Sequence, residues 1–232
     1  MNHESLDKLN EKLNKLDPHE IIEWAFDHYD SNVGMITSFG YTGMVLLHHV
    51  LKVKPNIEIF FIDTGFHFKE SLEFVKMVSK KWNINLTTIK PKYTKKELIK
   101  KIGDPPYEVN PDLCCQYNKV DCYYSIADQK EVWLSAIRRD QSSTRTHLNV
   151  LAIDKHGSLK IHPFVFWRRD QVWDFIKKNK IPYNPLHDEH YTSIGCEPCT
   201  IPTKAGSHER DGRWPHLQKL ECGINEFRNG NK

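Results

Sequence analysis

The sequence predicts an α/β fold with a parallel, doubly wound sheet. Two observations carry this prediction: short apolar runs alternate with helical patterns between about residues 33 and 89, and 232 residues suffice for one large domain. Consecutive parallel strands need right-handed crossovers, and ligands of such sheets bind outside the carboxyl ends of the strands. The loops that follow the strands are therefore where functional residues are expected.

The elements can be assigned in order along the chain. Leu6, Leu9 and Leu13 recur at helical spacing, and Asp17-Pro18 begins a second amphipathic helix. The predicted elements that follow are strand VGMITS, helix MVLLHHVL, strand IEIFFID, a helix from about Phe68 to Trp82, strand INLTTI, strand EVWLSAI and helix RRDQVWDFIKKN. Beyond Tyr183 the periodic pattern gives way to Pro, Gly and His.

Charge and composition limit the classes of function. With 33 basic and 30 acidic residues the net charge is +3, so neither a nucleic acid nor a membrane surface is indicated as a partner. The sequence has no predicted signal peptide or membrane span, so we expect a cytoplasmic protein. In a reducing compartment, six cysteines indicate metal binding or catalysis rather than disulfides.

Two loops at the predicted sheet edge suit an anionic ligand. SFGYTG, with candidate ligand-binding residues Ser38, Phe39, Gly40 and Gly43, opens directly onto a helix whose free N–H groups favour phosphate. A plain tight turn explains this loop equally well. DTGFHF offers a second set of candidates, Asp63, Thr64 and Gly65, which could bind a ribose or merely cap the next helix.

A third loop, RRDQSSTR, follows the fourth predicted strand and contains Arg138, Arg139 and Arg145. Three guanidinium groups in one loop suit bidentate binding of phosphate or sulfate oxygens. A solvated run of charge is the alternative. Together the three loops favour a nucleotide that is rich in anionic oxygen.

Four cysteines form two pairs. LCCQYNK supplies Cys114 and Cys115, and GCEPCT supplies Cys196 and Cys199, with 80 residues between the pairs. Four thiolates suit tetrahedral zinc or an iron-sulfur cluster, and the adjacent pair favours iron. We interpret Cys122 as a buried structural thiol, with a role as a rival ligand left open.

These motifs resemble one family closely, the assimilatory sulfonucleotide reductases, which act on adenylyl sulfate (APS) or phosphoadenylyl sulfate (PAPS). The family pattern of Cys-Cys, about 80 residues and Cys-x-x-Cys is present, together with DTGFHF, RRDQSSTR, ERDGRW and ECG. The resemblance extends from about Trp24 to Phe227. It implies a fold of the adenine nucleotide alpha hydrolase (PP-loop) type and a 4Fe-4S cluster bound by the four cysteines.

The resemblance also implies roles for residues near the C-terminus. Cys222 of ECG is implied as the nucleophile, which forms a cysteine S-sulfonate that thioredoxin or a glutaredoxin-like dithiol then reduces. Lys119, Arg145, Arg210 and Arg213 match family positions that contact the phosphosulfate. We therefore expect three parts: N-terminal helices (1–30), an α/β domain with the iron-sulfur site (31–205) and a mobile tail (206–232).

One feature departs from the family pattern, and more than one function is compatible with the sequence. Ile224-Asn225 stands where the family has Leu-His, which bears on substrate geometry rather than on the nucleophile. The main expectation is a thioredoxin-dependent APS reductase of sulfate assimilation and cysteine biosynthesis, with PAPS reduction or dual activity as the alternative. The other hypotheses are an ATP-dependent tRNA-thiolation protein and a zinc-stabilised nucleic-acid-binding module in which Cys222 is incidental. A homo-oligomer is expected by family analogy alone.

Overall fold

A six-stranded sheet forms the centre of the protein. The computed structural model describes residues 3–215 and 217–227. The strands follow the spatial order β3-β2-β1-β4-β6-β5, and every neighbouring pair is parallel except β5 with β6. The predicted α/β class with a mostly parallel sheet is therefore confirmed.

The strands and helices have the following bounds. The strands are β1 (Val33–Ile36), β2 (Glu58–Ile62), β3 (Asn85–Ile89), β4 (Val132–Leu134), β5 (Leu151–Ile153) and β6 (Leu159–Ile161). The helices are α1 (His3–Leu13), α2 (Pro18–Tyr29), α3 (Tyr41–Val53), α4 (Lys69–Lys81), α5 (Lys95–Ile102), α6 (Pro106–Val109), α7 (Pro111–Cys115), α8 (Asp121–Tyr124) and α9 (Arg169–Asn179).

Local sequence signals fix several helix ends. Asp17 caps α2 by accepting from the backbone N–H groups of His19 and Glu20, and the Glu20 carboxylate accepts from the Asp17 backbone in return. Thr94 and Glu97 form the same reciprocal box at the start of α5. The predicted helix over 68–82 is α4, which Phe68 and Trp82 flank.

The hairpin of β5 and β6 was not predicted from the sequence. Each of its strands has three residues, too few for a period of two to stand out, and β6 joins the sheet parallel to β4. The turn between them is organised by Asp154, whose Oδ1 accepts from the backbone N–H groups of His156 and Ser158. This hairpin extends the sheet at one edge.

One hydrophobic core joins the N-terminal helices to the sheet. Leu6 and Leu13 of α1 and Ile22 of α2 are buried in the same cluster as Met35 of β1 and Ile59 of β2. Within the described ranges, no helix is long and apolar enough to cross a membrane. The three-part division of the chain stays a prediction, and residues 1–2, 216 and 228–232 of its outer parts lie outside the described residues.

Candidate active site

One cavity lies at the carboxyl ends of β1, β2 and β4, the sheet edge at which the sequence predicts ligand binding. It is lined by the loop that leads into α3, by the end of β2, by Ser135 to Ile137 after β4, and by the segments 193–196, 209–214 and 221–225. The cavity brings together nine of the fourteen predicted catalytic and substrate-binding residues: Ser38, Gly40, Gly43, Thr64, Lys119, Arg145, Arg210, Arg213 and Cys222.

The loop after β1 presents the N-terminus of a long helix to the cavity. Gly40 is the N-cap of α3, and no side chain caps this end, so the first N–H groups of the helix remain available to a ligand. A Cβ at Gly43 would lie 2.7 Å from Oγ1 of Thr37, so a larger residue there would force the Thr37 side chain to move. Phe39 does not line the cavity. Its side chain is buried against Phe61 instead.

The loop after β2 connects the sheet to the Cys-x-x-C segment. Oγ1 of Thr64 lies 3.4 Å from Sγ of Cys196, and the backbone N–H of Glu197 donates to the carbonyl of Phe66 at 2.7 Å. Asp63 turns its carboxylate onto the backbone N–H of Gly65, and neither residue lines the cavity. Asp63 also does not cap α4, whose N-cap is Phe68.

The structure places two of the three loop arginines away from the cavity. Arg138 is fully buried, where its Nε donates to Asp140 at 2.9 Å and its two terminal nitrogens donate to Thr42 and Glu209. Arg139 donates to the carbonyl of Leu148 and stacks over Phe166. Since the protein itself supplies acceptors for these two guanidinium groups, the proposed site does not include Arg138 and Arg139.

The two cysteine pairs meet in a second, narrow cavity beside the first. Its lining contains thiols, aromatic rings, prolines, one amide and the ammonium group of a lysine but no carboxylate or imidazole: Phe66, Tyr107, Pro111, Cys114, Cys115, Asn118, Lys119, Cys196, Pro198 and Cys199. In the described part of the chain, no group of three or more His, Cys, Asp or Glu side chains is arranged to hold a metal ion. The fold nevertheless brings the four predicted cysteine ligands to one place.

Lys119 lies on a π-helical turn between the two cavities. A π-helical turn over Gln116–Val120 interrupts the helical path between α7 and α8, and Lys119 lines both cavities. Asn118 fastens the turn by donating to the carbonyl of Cys114 at 3.0 Å. Cys122, one helical turn further on, is buried with Tyr123 and lines neither cavity.

The ERDGRW segment contributes two cations to the first cavity, Arg210 and Arg213. It pairs with the Cys-x-x-C turn through the backbone bonds of Trp214 to Cys199 and of Ile201 to Gly212. The guanidinium of Arg213 lies across Gly195, so a Cβ at this position would displace the arginine side chain. Arg213 also stacks on the Trp214 ring at 4.5 Å.

The C-terminal segment closes over the same cavity. Glu221 forms an ion pair with Arg145 at 2.8 Å, the half-buried Cys222 lines the cavity, and Gly223 packs against Val120. Further along, the backbone N–H of Lys155 donates to the carbonyl of Glu226 at 2.9 Å. The described part of the tail is thus seated on the domain, with the Cys222 thiol facing the cations.

Comparison with known proteins identifies the family. Residues 32–202 match the model of the phosphoadenosine phosphosulfate reductase domain. A protein from Halalkalibacterium halodurans, named adenosine 5'-phosphosulfate reductase, is 38% identical over 224 residues, which is 96% of this chain and 97% of that protein. The chain belongs to the sulfonucleotide reductase family. A Bacillus thuringiensis protein of the same name is 41% identical over 207 residues, 88% of each chain.

Solved structures agree with this family assignment. The phosphoadenylyl-sulfate reductase of Candida auris is 32% identical, covers 87% of this chain and 98% of its own, and superimposes with a TM-score of 0.77. The FMN adenylyltransferase of Candida glabrata is 14% identical, covers 92% of this chain and 84% of its own, and gives a TM-score of 0.59. That second likeness concerns the fold alone.

Charges in this reductase site act strongly on one another. Burial lowers the pKa of Lys119, but electrostatic interaction with the sulfur atoms of Cys196, Cys222 and Cys115 more than offsets burial and raises it above its ordinary value. Burial likewise raises the pKa of the Cys196 thiol, and the ammonium of Lys119 then brings it below the usual range. Lys119 therefore stays cationic and stabilises the thiolate of Cys196, whereas burial raises the pKa of the thiols of Cys114, Cys115 and Cys199.

Sequence reasoning missed several residues that line the reductase cavity. They include His67, Gln141, His187, Glu209, Trp214 and Glu221. Glu221 and Trp214 fall inside the ECG and ERDGRW motifs, so these motifs could have indicated that both residues belong to the site. Gln141 and Glu209 are linked by a 3.1 Å hydrogen bond across 68 residues, which no local pattern reveals.

Proposed function

We propose that this protein reduces APS to sulfite and AMP through an S-sulfonate on Cys222, with thioredoxin or a glutaredoxin-like dithiol as the electron donor. The protein is an oxidoreductase acting on a sulfur group. The observation that carries the proposal is that the Cys222 thiol, Lys119, Arg213 and the N-terminus of α3 all face one cavity. We choose APS over PAPS as the substrate because the relatives that are 38–41% identical are named adenosine 5'-phosphosulfate reductase.

In the first step, Sγ of Cys222 attacks the sulfonyl sulfur of the bound nucleotide. A sulfur–sulfur bond forms, the bond between that sulfur and the phosphate oxygen breaks, and AMP leaves with the electron pair. Lys119 and Arg213 would neutralise charge on the departing phosphate, and the N–H groups at the start of α3 would bind the nucleotide's anionic oxygens.

In the second step, a dithiol protein returns Cys222 to its thiol form. One thiolate of the dithiol attacks Sγ of Cys222, sulfite leaves with the electron pair, and a mixed disulfide remains. The second thiol of the dithiol then displaces Cys222. The dithiol is oxidised by two electrons, which are the electrons gained by the sulfite sulfur.

The four paired cysteines fit a 4Fe-4S cluster. They line one narrow cavity whose donors are soft sulfur atoms, and a four-iron cluster spreads its thiolates further apart than a single ion does. Cys114, Cys115, Cys196 and Cys199 would hold it. When bound, the cluster supplies electrostatic and structural support near Lys119 rather than electrons.

The setting of the reaction follows from the same proposal. We place it in the cytoplasm, where reduced dithiol proteins are present, and we expect a homo-oligomer by analogy with the family. The family match favours this function over the tRNA-thiolation protein and the zinc-stabilised binding module weighed from the sequence.

The test is sulfite release by anaerobically purified protein supplied with thioredoxin, thioredoxin reductase and either APS or PAPS. We expect turnover with APS, less turnover with PAPS, and none with either in Cys222→Ser. The matched control is Cys122→Ala, which removes a buried thiol outside both cavities and should keep its turnover. Turnover that survives in Cys222→Ser would rule out the assigned nucleophile.

A further inference from the structure

The residue directly before the proposed nucleophile is held by a buried arginine. Both carboxylate oxygens of Glu221 accept from Arg145, from Nε and from Nη2, each at 2.8 Å. The side chains are 8% and 5% exposed, so little water competes for this bidentate pair. Burial raises the pKa of Glu221, but the interactions of this carboxylate, with Arg145 first among them, more than offset burial and bring this pKa below its usual range. The carboxylate therefore stays ionised.

The remaining donors around this pair are also committed to the tail or to its support. Nη1 of Arg145 donates to Oε1 of Gln141 at 2.6 Å, so all three nitrogens of the guanidinium have partners. The Thr144 hydroxyl donates to Glu221 at 3.0 Å, and Arg210 donates to the carbonyl of Leu220 at 2.8 Å. Residue 220 is therefore held through its main chain, and residue 221 through its side chain.

The four cavity cations consequently divide into two pairs. Arg145 and Arg210 form ion pairs with Glu221 at 2.8 and 3.7 Å. Lys119 and Arg213 have no carboxylate partner among the residues that the structure describes, and Nε of Arg213 is buried without a hydrogen-bond acceptor there. The second pair is free to receive an anion, whereas the first pair is occupied by the protein's own carboxylate.

The other ion pairs of the tail hold Cys222 less firmly than the pair of Glu221 with Arg145. The pair of Lys155 with Glu226 has side chains that are 37% and 47% exposed, and it lies four residues after the thiol. Asp112, the partner of Lys219, is 83% exposed. Exposed pairs of this kind contribute little to holding a segment.

We propose that Glu221 is a positioning residue, whose buried pair with Arg145 holds Cys222 over the cavity for attack on the sulfonyl sulfur. This inference rests on the proposed function of Cys222. It assigns Arg145 to the tail and leaves Lys119 and Arg213 to receive the anionic group of the substrate.

The test compares Glu221→Gln with wild type and with the control Glu226→Gln, all as anaerobically purified full-length protein. The first measurement is the rate at which iodoacetamide alkylates Cys222 without substrate, followed by peptide mass spectrometry. Loss of one buried charge-assisted pair should raise this rate about tenfold in Glu221→Gln. Arg145→Lys, which cannot form the bidentate pair, should behave alike, while Glu226→Gln should stay within about twofold of wild type.

The second measurement is the rate of S-sulfonate formation in a single turnover over a range of APS concentrations, without a dithiol. In Glu221→Gln we expect a maximal rate about tenfold lower and a half-saturating concentration within about twofold of wild type, the pattern of a misplaced nucleophile. Glu221→Asp, which keeps the carboxylate on a shorter arm, should recover part of the rate.

Two results would overturn the inference. One is an alkylation rate in Glu221→Gln equal to that of wild type. The other is a lower half-saturating concentration with an unchanged maximal rate, which would show that Glu221 merely competes with substrate for the arginines. If wild type forms no S-sulfonate, the proposed function fails, and the alkylation rates still decide whether Glu221 holds the tail.

Discussion

Replacing Arg138 tests whether this arginine supports the fold or binds substrate. Its side chain is 0% exposed, and it neutralises Glu209, which is itself buried. In Arg138→Met the Glu209 carboxylate would keep the neutral amide of Gln141, at 3.1 Å, as a donor but would lose its cation. Removing one partner of a buried pair costs about 3–5 kcal/mol, because the other charge stays buried without compensation. Methionine occupies much of the vacated volume, so a cavity adds little to this cost.

The assay is urea unfolding under anaerobic conditions, followed by tryptophan fluorescence. With a slope of about 2–3 kcal/mol per M of urea for a chain of this size, the unfolding midpoint should fall by roughly 1–2 M. Arg138→Met combined with Glu209→Gln should be more stable than the single variant, because no uncompensated charge remains.

The chain contains a matched control for this experiment. The tetrapeptide RRDQ occurs at 138–141 and again at 168–171. Arg168 contacts Asp170 just as Arg138 contacts Asp140, but its side chain is 68% exposed, so Arg168→Met should leave the midpoint unchanged within error. The reasoning is refuted if Arg138→Met unfolds at the wild-type midpoint, above all if its half-saturating APS concentration rises instead.

Three further predictions concern the buried charges, the cysteines and the anion site. Burial lowers the pKa of Lys160 to about 7, so above that pH the unfolded chain binds a proton that the folded protein has released. Wild type should therefore gain stability relative to the double variant Asp154→Asn, Lys160→Met between about pH 7 and 10, by at most about 1.4 kcal/mol per pH unit, and parallel urea midpoints would contradict this. Cys115→Ser should purify with less iron and acid-labile sulfide than wild type, whereas Cys122→Ala should match wild type; equal iron in both variants would remove Cys115 from the cluster. Arg213→Met should raise the half-saturating APS concentration about tenfold or more, as expected for loss of a charge-assisted contact, and an unchanged value would mean that Arg213 does not contact the substrate.

The two RRDQ segments show why part of the site could not be predicted. In both, the backbone N–H of the first arginine donates to the glutamine, at 3.1 and 2.9 Å, so local sequence produces the same local structure. Their environments differ because Glu209, 71 residues along the chain, meets only the first segment. Burial of Arg138 therefore depends on a residue far away in the sequence. The clustering of arginines in this loop does not indicate which of them lines the cavity.

Other parts were predictable for physical reasons. The carboxyl ends of parallel strands share one edge of the sheet, so loops as far apart as Ser38 and Thr64 could be expected to meet. Helix ends that local side chains cap, such as the start of α2 at Asp17, could also be predicted from the sequence. The three-residue strands β5 and β6 and the closure of Glu221 onto Arg145 depend on tertiary contacts, and no local signal encodes them.

The central claim is that Cys222 is the nucleophile of a sulfonucleotide reductase. The most direct measurement is peptide mass spectrometry of the anaerobically purified protein after incubation with APS or PAPS in the absence of any dithiol. The account predicts an S-sulfonate on Cys222, more from APS than from PAPS, and none in Cys222→Ser. Unmodified Cys222 after both incubations, in protein shown to contain iron and sulfide, would contradict it.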